Sequence, residues 1–137
     1  MSVRVLAVDD DPEVLAVYQE MLAPRGYDIA VATSGISGLQ AIEDFGPDLI
    51  LLDIKLPGLS GWDFLRMARR TARGSDVPVV VVTGTPMRQS AAPSCNLGAS
   101  ACVTKPFSAR DLLLLMERLL GPDGNAPYRE AHAPAAA

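Results

Sequence analysis

The chain has 137 residues, 49% of them apolar and 20% charged, with a net charge of −4, which suits one globular domain and leaves no room for a second. No apolar run approaches the ~20 residues needed to cross a bilayer, and the start, Met1-Ser2-Val3-Arg4, does not read as an export leader, so a soluble cytosolic protein without membrane partners is expected. The negative balance argues against direct nucleic-acid binding, and the lone histidine, His132 near the C-terminus, excludes a histidine triad, zinc site or phosphohistidine relay inside the fold.

Short strand-like runs alternate with helical periods, the pattern of a parallel sheet with helices on both faces. Val3 to Asp9 reads as the first strand. Asp11 is the expected N-cap of the following helix and Pro12 its first residue, where proline forfeits no hydrogen bond. Val14, Leu15, Tyr18, Met21 and Leu22 share one face of that helix, which Pro24-Arg25-Gly26 ends. Tyr27 to Ala32 is the second strand, and Ser34 starts a helix that Gly46-Pro47 stops.

The third strand, Asp48 to Asp53, is apolar until its last residue, as expected of a strand buried on both faces where it leaves the core. A loop with Pro57-Gly58 and Gly61 leads to a helix from about Trp62 to Arg73, with Arg66, Arg69, Arg70 and Arg73 read as a solvated face. Val77 to Thr83 is the fourth strand. The fourth helix is interrupted by Pro86 and Pro93. Ser100 to Thr104 is the fifth strand, and Ser108 begins a last helix in a Ser-Ala-Arg-Asp stretch resembling a capping box. Gly121-Pro122 ends it. Residues 1–121 thus form one domain, and 122–137, rich in Ala, Pro and Gly, read as a flexible tail or the start of a linker. Cys95 and Cys102 have no metal-ligand spacing and read as free thiols.

In open parallel sheets ligands bind beyond the carboxyl ends of the strands. Here Asp9 and Asp10 end the first strand, Asp53 the third and Thr83 the fourth, while Lys105 follows the fifth. Carboxylates, a hydroxyl and an amine on one rim suit phosphoryl transfer assisted by Mg²⁺, a hard cation that needs few protein oxygens. Asp10 and Asp53 are the expected direct ligands. A cation would relieve repulsion among the carboxylates and keep Asp53 ionised as nucleophile. Asp11 is explained by helix capping, and Trp62 carries no chemistry.

Four motifs, Val-Leu-Ala-Val-Asp-Asp-Asp-Pro, Leu-Leu-Asp-Ile-Lys-Leu-Pro-Gly-Leu-Ser-Gly, Val-Val-Thr-Gly and Thr-Lys-Pro-Phe, resemble the receiver domains of bacterial two-component response regulators over about Val3 to Leu120. The resemblance implies a flavodoxin-like (βα)5 doubly wound fold with strand order 2-1-3-4-5, whereas periodicity alone reaches only a parallel α/β sheet. It also implies a phosphoryl acceptor at Asp53, a switch hydroxyl at Thr83 and a phosphoryl contact at Lys105. The implied metal, Mg²⁺ or Mn²⁺, is bound by Asp10, Asp53 and the Lys55 backbone carbonyl, with Asp9 acting through water. A cis bond is expected before Pro106.

The implied partners are a sensor histidine kinase or histidine phosphotransfer protein and a downstream protein, and the chain is an enzyme only toward its own aspartate. It is either a stand-alone regulator or the first segment of a longer protein. The alternative is an interaction module that keeps the fold and signals without phosphorylation. A hydrolase of the haloacid-dehalogenase type would need a second aspartate two residues after Asp53, where Lys55 stands.

Three features depart from the receiver pattern. Cys102 occupies the position of the usual switch aromatic, so coupling from Thr83 to the surface is expected to differ. The proline-broken fourth helix makes the signalling face beside it short or mobile. Leu114 points into the polar side of the last helix, making the face of the fourth helix, fifth strand and last helix a candidate homodimer surface. The resemblance further implies that Lys55 and Thr85 flank the path of hydrolytic water, and since neither is an acid or amide, slow self-dephosphorylation is expected by analogy.

Overall fold

The computed structural model describes residues 2–84 and 99–121. The expected fourth helix with Thr85, Pro86 and Pro93, together with Cys95, His132 and the tail, lies outside the described residues. Five strands, β1 (Arg4–Val8), β2 (Asp28–Ala32), β3 (Leu49–Leu52), β4 (Val79–Thr83) and β5 (Ala101–Thr104), form one parallel sheet in the order β2-β1-β3-β4-β5. Each lies a residue or two inside the range its apolar run predicts. The helices are α1 (Pro12–Leu22), α2 (Gly35–Phe45), α3 (Gly61–Ala68) and a C-terminal helix (Ala109–Leu120).

Successive strand side chains point to opposite faces, and at the central strands β1, β3 and β4 both faces are dry. Val5, Ala7, Leu49, Leu51, Val80 and Val82 pack with Leu15, Tyr18 and Leu22 of α1 and with Leu112, Met116 and Leu119 of the C-terminal helix. Leu6, Val8, Ile50, Leu52, Val79 and Val81 instead meet Ile42 of α2 and Phe64, Leu65 and Ala68 of α3. Continuous apolar runs are therefore required in β1, β3 and β4, where nearly every residue has a core to face, whereas the edge strands β2 and β5 are partly exposed. Leu114 stands apart from the other leucines of its helix at 49% exposure.

The helix starts follow local chemistry. Asp11 accepts a hydrogen bond from the Glu13 N–H, and Pro12 opens α1. Ser34 caps α2 in a full capping box in which Ser37 takes the role usual for Glu or Gln. Ser108 accepts from the Asp111 N–H. Gly46 closes α2 at φ 65°, where a side chain would be strained.

The third helix departs from the sequence reading. It ends at Ala68, well short of Arg73. Thr71 Oγ1 donates to the Ala68 carbonyl and accepts from the Gly74 N–H, so a side chain takes over the bonds that a further turn would have made. Arg69, read from spacing as part of a solvated face, donates at 2.7 Å to the carbonyls of Gly74 and Val77 and ties this turn to the entry of β4. Among the described residues, no helix is long and apolar enough to cross a membrane.

Candidate functional site

Strand register brings the site together. Val8 pairs with Leu52 in the sheet, so the next residues, Asp9 and Asp53, leave neighbouring strands at one level. The Asp53 N–H donates to the Val8 carbonyl and the Asp9 N–H to that of Ala32, holding both main chains in the ladder to the rim. Thr83 pairs with Thr104 and its carbonyl accepts from the Lys105 N–H, which delivers Lys105 to the same edge. The Lys105–Pro106 bond is cis.

Asp9 and Asp53 are 1% and 7% exposed, Thr83 is fully buried, and Asp10 is exposed. Such carboxylates are stable only with partners. Lys105 Nζ lies 2.8 Å from Asp9 Oδ2 and 3.4 Å from Asp53 Oδ2. The Asp11 N–H donates to Asp9 Oδ1 at 2.9 Å, and the Lys55 N–H to Asp53 Oδ1 at 3.2 Å. Asp11 therefore serves the site with its main chain while its side chain caps α1, a role that its type and spacing do not reveal.

Burial pushes the Asp9 carboxyl above its ordinary pKa, although the hydrogen bonds from Lys105 and Asp11 and the charge of Lys105 pull it back. The charge of Asp53 adds least to the rise, so burial outweighs the mutual repulsion expected from sequence. For Lys105, burial lowers the pKa, but the hydrogen bond to Asp9 and the charges of Asp53 and Asp9 together leave it above the ordinary value. The amine is held as ammonium.

Asp9, Asp10 and Asp53 each offer a carboxylate oxygen within 4.8 Å of the others. An all-oxygen set of this charge fits a hard divalent cation such as Mg²⁺ or Mn²⁺. Lys55 follows in the loop after β3. Cys102 is half-buried in β5 against the α2 and α3 side of the core, and no aromatic ring occupies its position.

Gly61, which starts α3, makes the loop after Asp53 possible. A Cβ there would lie 2.5 Å from Ile54 Cα and 2.6 Å from the Asp53 carbonyl oxygen, so the helix approaches the end of β3 only through glycine. Tyr18 is a further residue that sequence reasoning left in the core. Its hydroxyl is pushed above its ordinary pKa by burial and then by the charges of Asp9 and Asp53.

A family model described as the response regulator receiver domain matches residues 5–117. Among curated relatives, the DNA-binding dual master transcriptional regulator RpaA of Synechocystis sp. is 32% identical over 130 residues, covering 95% of this chain and 54% of that protein. The chain spans about half the length of the curated relatives it matches. A CheY-like receiver domain protein from Methanospirillum hungatei superposes with a TM-score of 0.83 at 30% identity, covering 96% of this chain and 99% of that one. The receiver domain of the sensor histidine kinase PA1611 from Pseudomonas aeruginosa, with magnesium coordinated in its active-site cleft, gives a TM-score of 0.79 at 27% identity, covering 86% and 97%. With the strand order and the acidic rim already established, these matches mean that the chain belongs to the response regulator receiver domain family.

Proposed function

We propose that this receiver accepts a phosphoryl group on Asp53 from a sensor histidine kinase or a histidine phosphotransfer protein, and that the modified surface switches binding to a downstream protein. One observation carries the reading: Asp9, Asp10 and Asp53 converge with Lys105 at one rim, beside the buried end of β4 at Thr83.

In the transfer, an ionised Asp53 oxygen forms a new P–O bond as the P–N bond to the donor histidine breaks, and the imidazole leaves with the electron pair of that bond. Lys105, already an ammonium, balances charge on one phosphoryl oxygen, and the Thr83 hydroxyl donates to another. Asp10, Asp53, the Lys55 carbonyl and, through water, Asp9 would hold Mg²⁺ or Mn²⁺, which would supply neutralisation of the phosphoryl charge. Lys55 offers an approaching water neither acid nor amide, which supports a long-lived phosphoryl group. The net charge of −4 supports an output made through protein contacts, with no nucleic acid bound by this chain itself.

The test is intact mass after incubation with acetyl phosphate, with and without Mg²⁺, on the wild type and on Asp53→Asn. A single Mg²⁺-dependent phosphoryl adduct, absent from the variant, is the expected result. A folded wild type that takes no adduct would leave the phosphorylation-independent interaction module as the reading, and an adduct lost within seconds would overturn the expected long lifetime.

A further inference from the structure

Gly35, the first residue of α2, is buried against Leu59 of the loop after β3. A Cβ at Gly35 would lie 2.9 Å from Leu59 Cδ2, 3.0 Å from Leu59 Cβ and 3.1 Å from the Leu59 carbonyl oxygen. Even an alanine would therefore push the end of the Leu59 side chain aside and make its Cβ and carbonyl oxygen give by a few tenths of an ångström. The helix side of this contact is the more firmly held. The start of α2 is clamped by the reciprocal bonds of Ser34 and Ser37, while Leu59 packs on the core between α2 and α3, and the Gly61 N–H donates to the Ile54 carbonyl at 2.8 Å. The same short loop contains Lys55, whose N–H reaches Asp53 Oδ1 at 3.2 Å.

We propose that Gly35 and Leu59 form a positioning contact, in which the rigid start of α2 is the stop against which the loop rests and which sets Lys55 relative to Asp53. The inference deepens the proposed function and rests on the reading of the Lys55 carbonyl as a metal ligand. Because the contact is steric, it has a directional signature: damage from adding a methyl group to Gly35 is reduced by removing atoms from Leu59. A merely destabilising change would not show that reversal, since shortening a second apolar side chain would add to the loss.

The experiment compares the full chain as wild type, Gly35→Ala, Leu59→Ala and the double variant. The backbone amide resonance of Lys55 reads the loop without metal, and Trp62 fluorescence during Mg²⁺ titration reads the ligand set. Gly35→Ala is expected to shift the Lys55 resonance and weaken Mg²⁺ binding about tenfold, the lower end of the effect of disturbing groups that orient metal ligands. The double variant is expected to recover at least half of both changes. A Lys55 resonance unmoved in folded Gly35→Ala, or moved equally in the double variant, overturns the proposal. Leu59→Phe loads the same contact from the loop side with α2 intact, so it decides the question should Gly35→Ala not fold: an unmoved Lys55 resonance there also overturns it. A wild type that takes up no Mg²⁺ overturns the metal reading alone, and the Lys55 resonance then still decides whether the contact positions the loop.

Discussion

Lys105 Nζ lies 2.8 Å from Asp9 Oδ2, an ion pair that joins the end of β1 to the residue after β5 across 96 positions of sequence. The ammonium sits closer to Asp9 than to Asp53, at 3.4 Å, and so holds together the two buried carboxylates of the rim. Removing it by Lys105→Met leaves both without their cation and is expected to cost about 2–4 kcal/mol in urea unfolding without metal. A double-mutant cycle with Asp9→Asn should return a coupling of about 1–3 kcal/mol. A coupling near zero would mean that the pair contributes geometry but no stability.

Asp10 should behave in the opposite way. It is exposed, so Asp10→Asn is expected to stay within about 0.5 kcal/mol of the wild type when no metal is present. Mg²⁺ should raise the wild-type melting temperature, since a ligand that binds only the folded state stabilises it by mass action. That increment should vanish in Asp10→Asn and on addition of a chelator. An undiminished Mg²⁺ effect in the variant would remove Asp10 from the ligand set.

Gly38 and Phe64 make a matched pair on the α2 and α3 side of the sheet. A Cβ at Gly38 would stand 2.8 Å from Phe64 Cε1 and 3.1 Å from Val8 Cγ2. Gly38→Ala is expected to destabilise by about 1–2 kcal/mol, because overpacking outweighs the helix-propensity gain of alanine. Phe64→Leu added to that variant should recover part of the loss. Should Gly38→Ala prove more stable than the wild type, the packing there is looser than these distances imply.

Arg69 supplies two charge-assisted bonds to main-chain carbonyls, so Arg69→Ala should cost about 1.5–3 kcal/mol, measured by chemical denaturation. Arg66 offers the contrast: its pair with Asp63 is long at 3.7 Å and solvent-exposed, and Arg66→Ala should change stability by less than about 0.5 kcal/mol. Equal effects of the two substitutions would contradict the division between a structural and a solvated arginine.

Burial, followed by the charges of Asp9 and Asp53, raises the Tyr18 pKa in the folded protein. A group with a raised folded-state pKa contributes stability that is fully present below its unfolded value, here about 10, and lost as the pH rises toward the folded one. Above pH ~10 the unfolded chain gives up the Tyr18 proton while the folded chain keeps it, so stability should fall by up to about 1.4 kcal/mol per pH unit from this residue. Tyr18→Phe should flatten that decline, measured as unfolding midpoints between neutral pH and strongly alkaline solution. An unchanged slope would show that other groups govern the alkaline limb.

The α/β alternation, the strand positions and most helix starts were legible in the chain, because each depends on neighbours within a few residues. Apolar runs fully buried by helices on both faces have few readings other than parallel strands, and Asp11, Ser34 and Ser108 cap within one turn. Strand order came from resemblance, since nothing local specifies which strand lies beside which. The end of α3 was not legible, because the Thr71 turn that closes it is held by Arg69 through a bond to the Val77 carbonyl, whose position depends on the path of the chain toward β4.

The rim divides the same way. Sequence alone determined which residues stand at the carboxyl ends of the strands, because the change from apolar to polar at Asp9, Asp53 and Thr83 marks where each strand leaves the core. Only the tertiary structure decided how those residues share charge: Asp9 as the closer partner of Lys105, the Asp11 amide as its support, and α2 pressed through Gly35 onto the loop after Asp53. Distances of this kind are set by strand register and by helices packing across the sheet, and residues far apart in the chain carry no local trace of them.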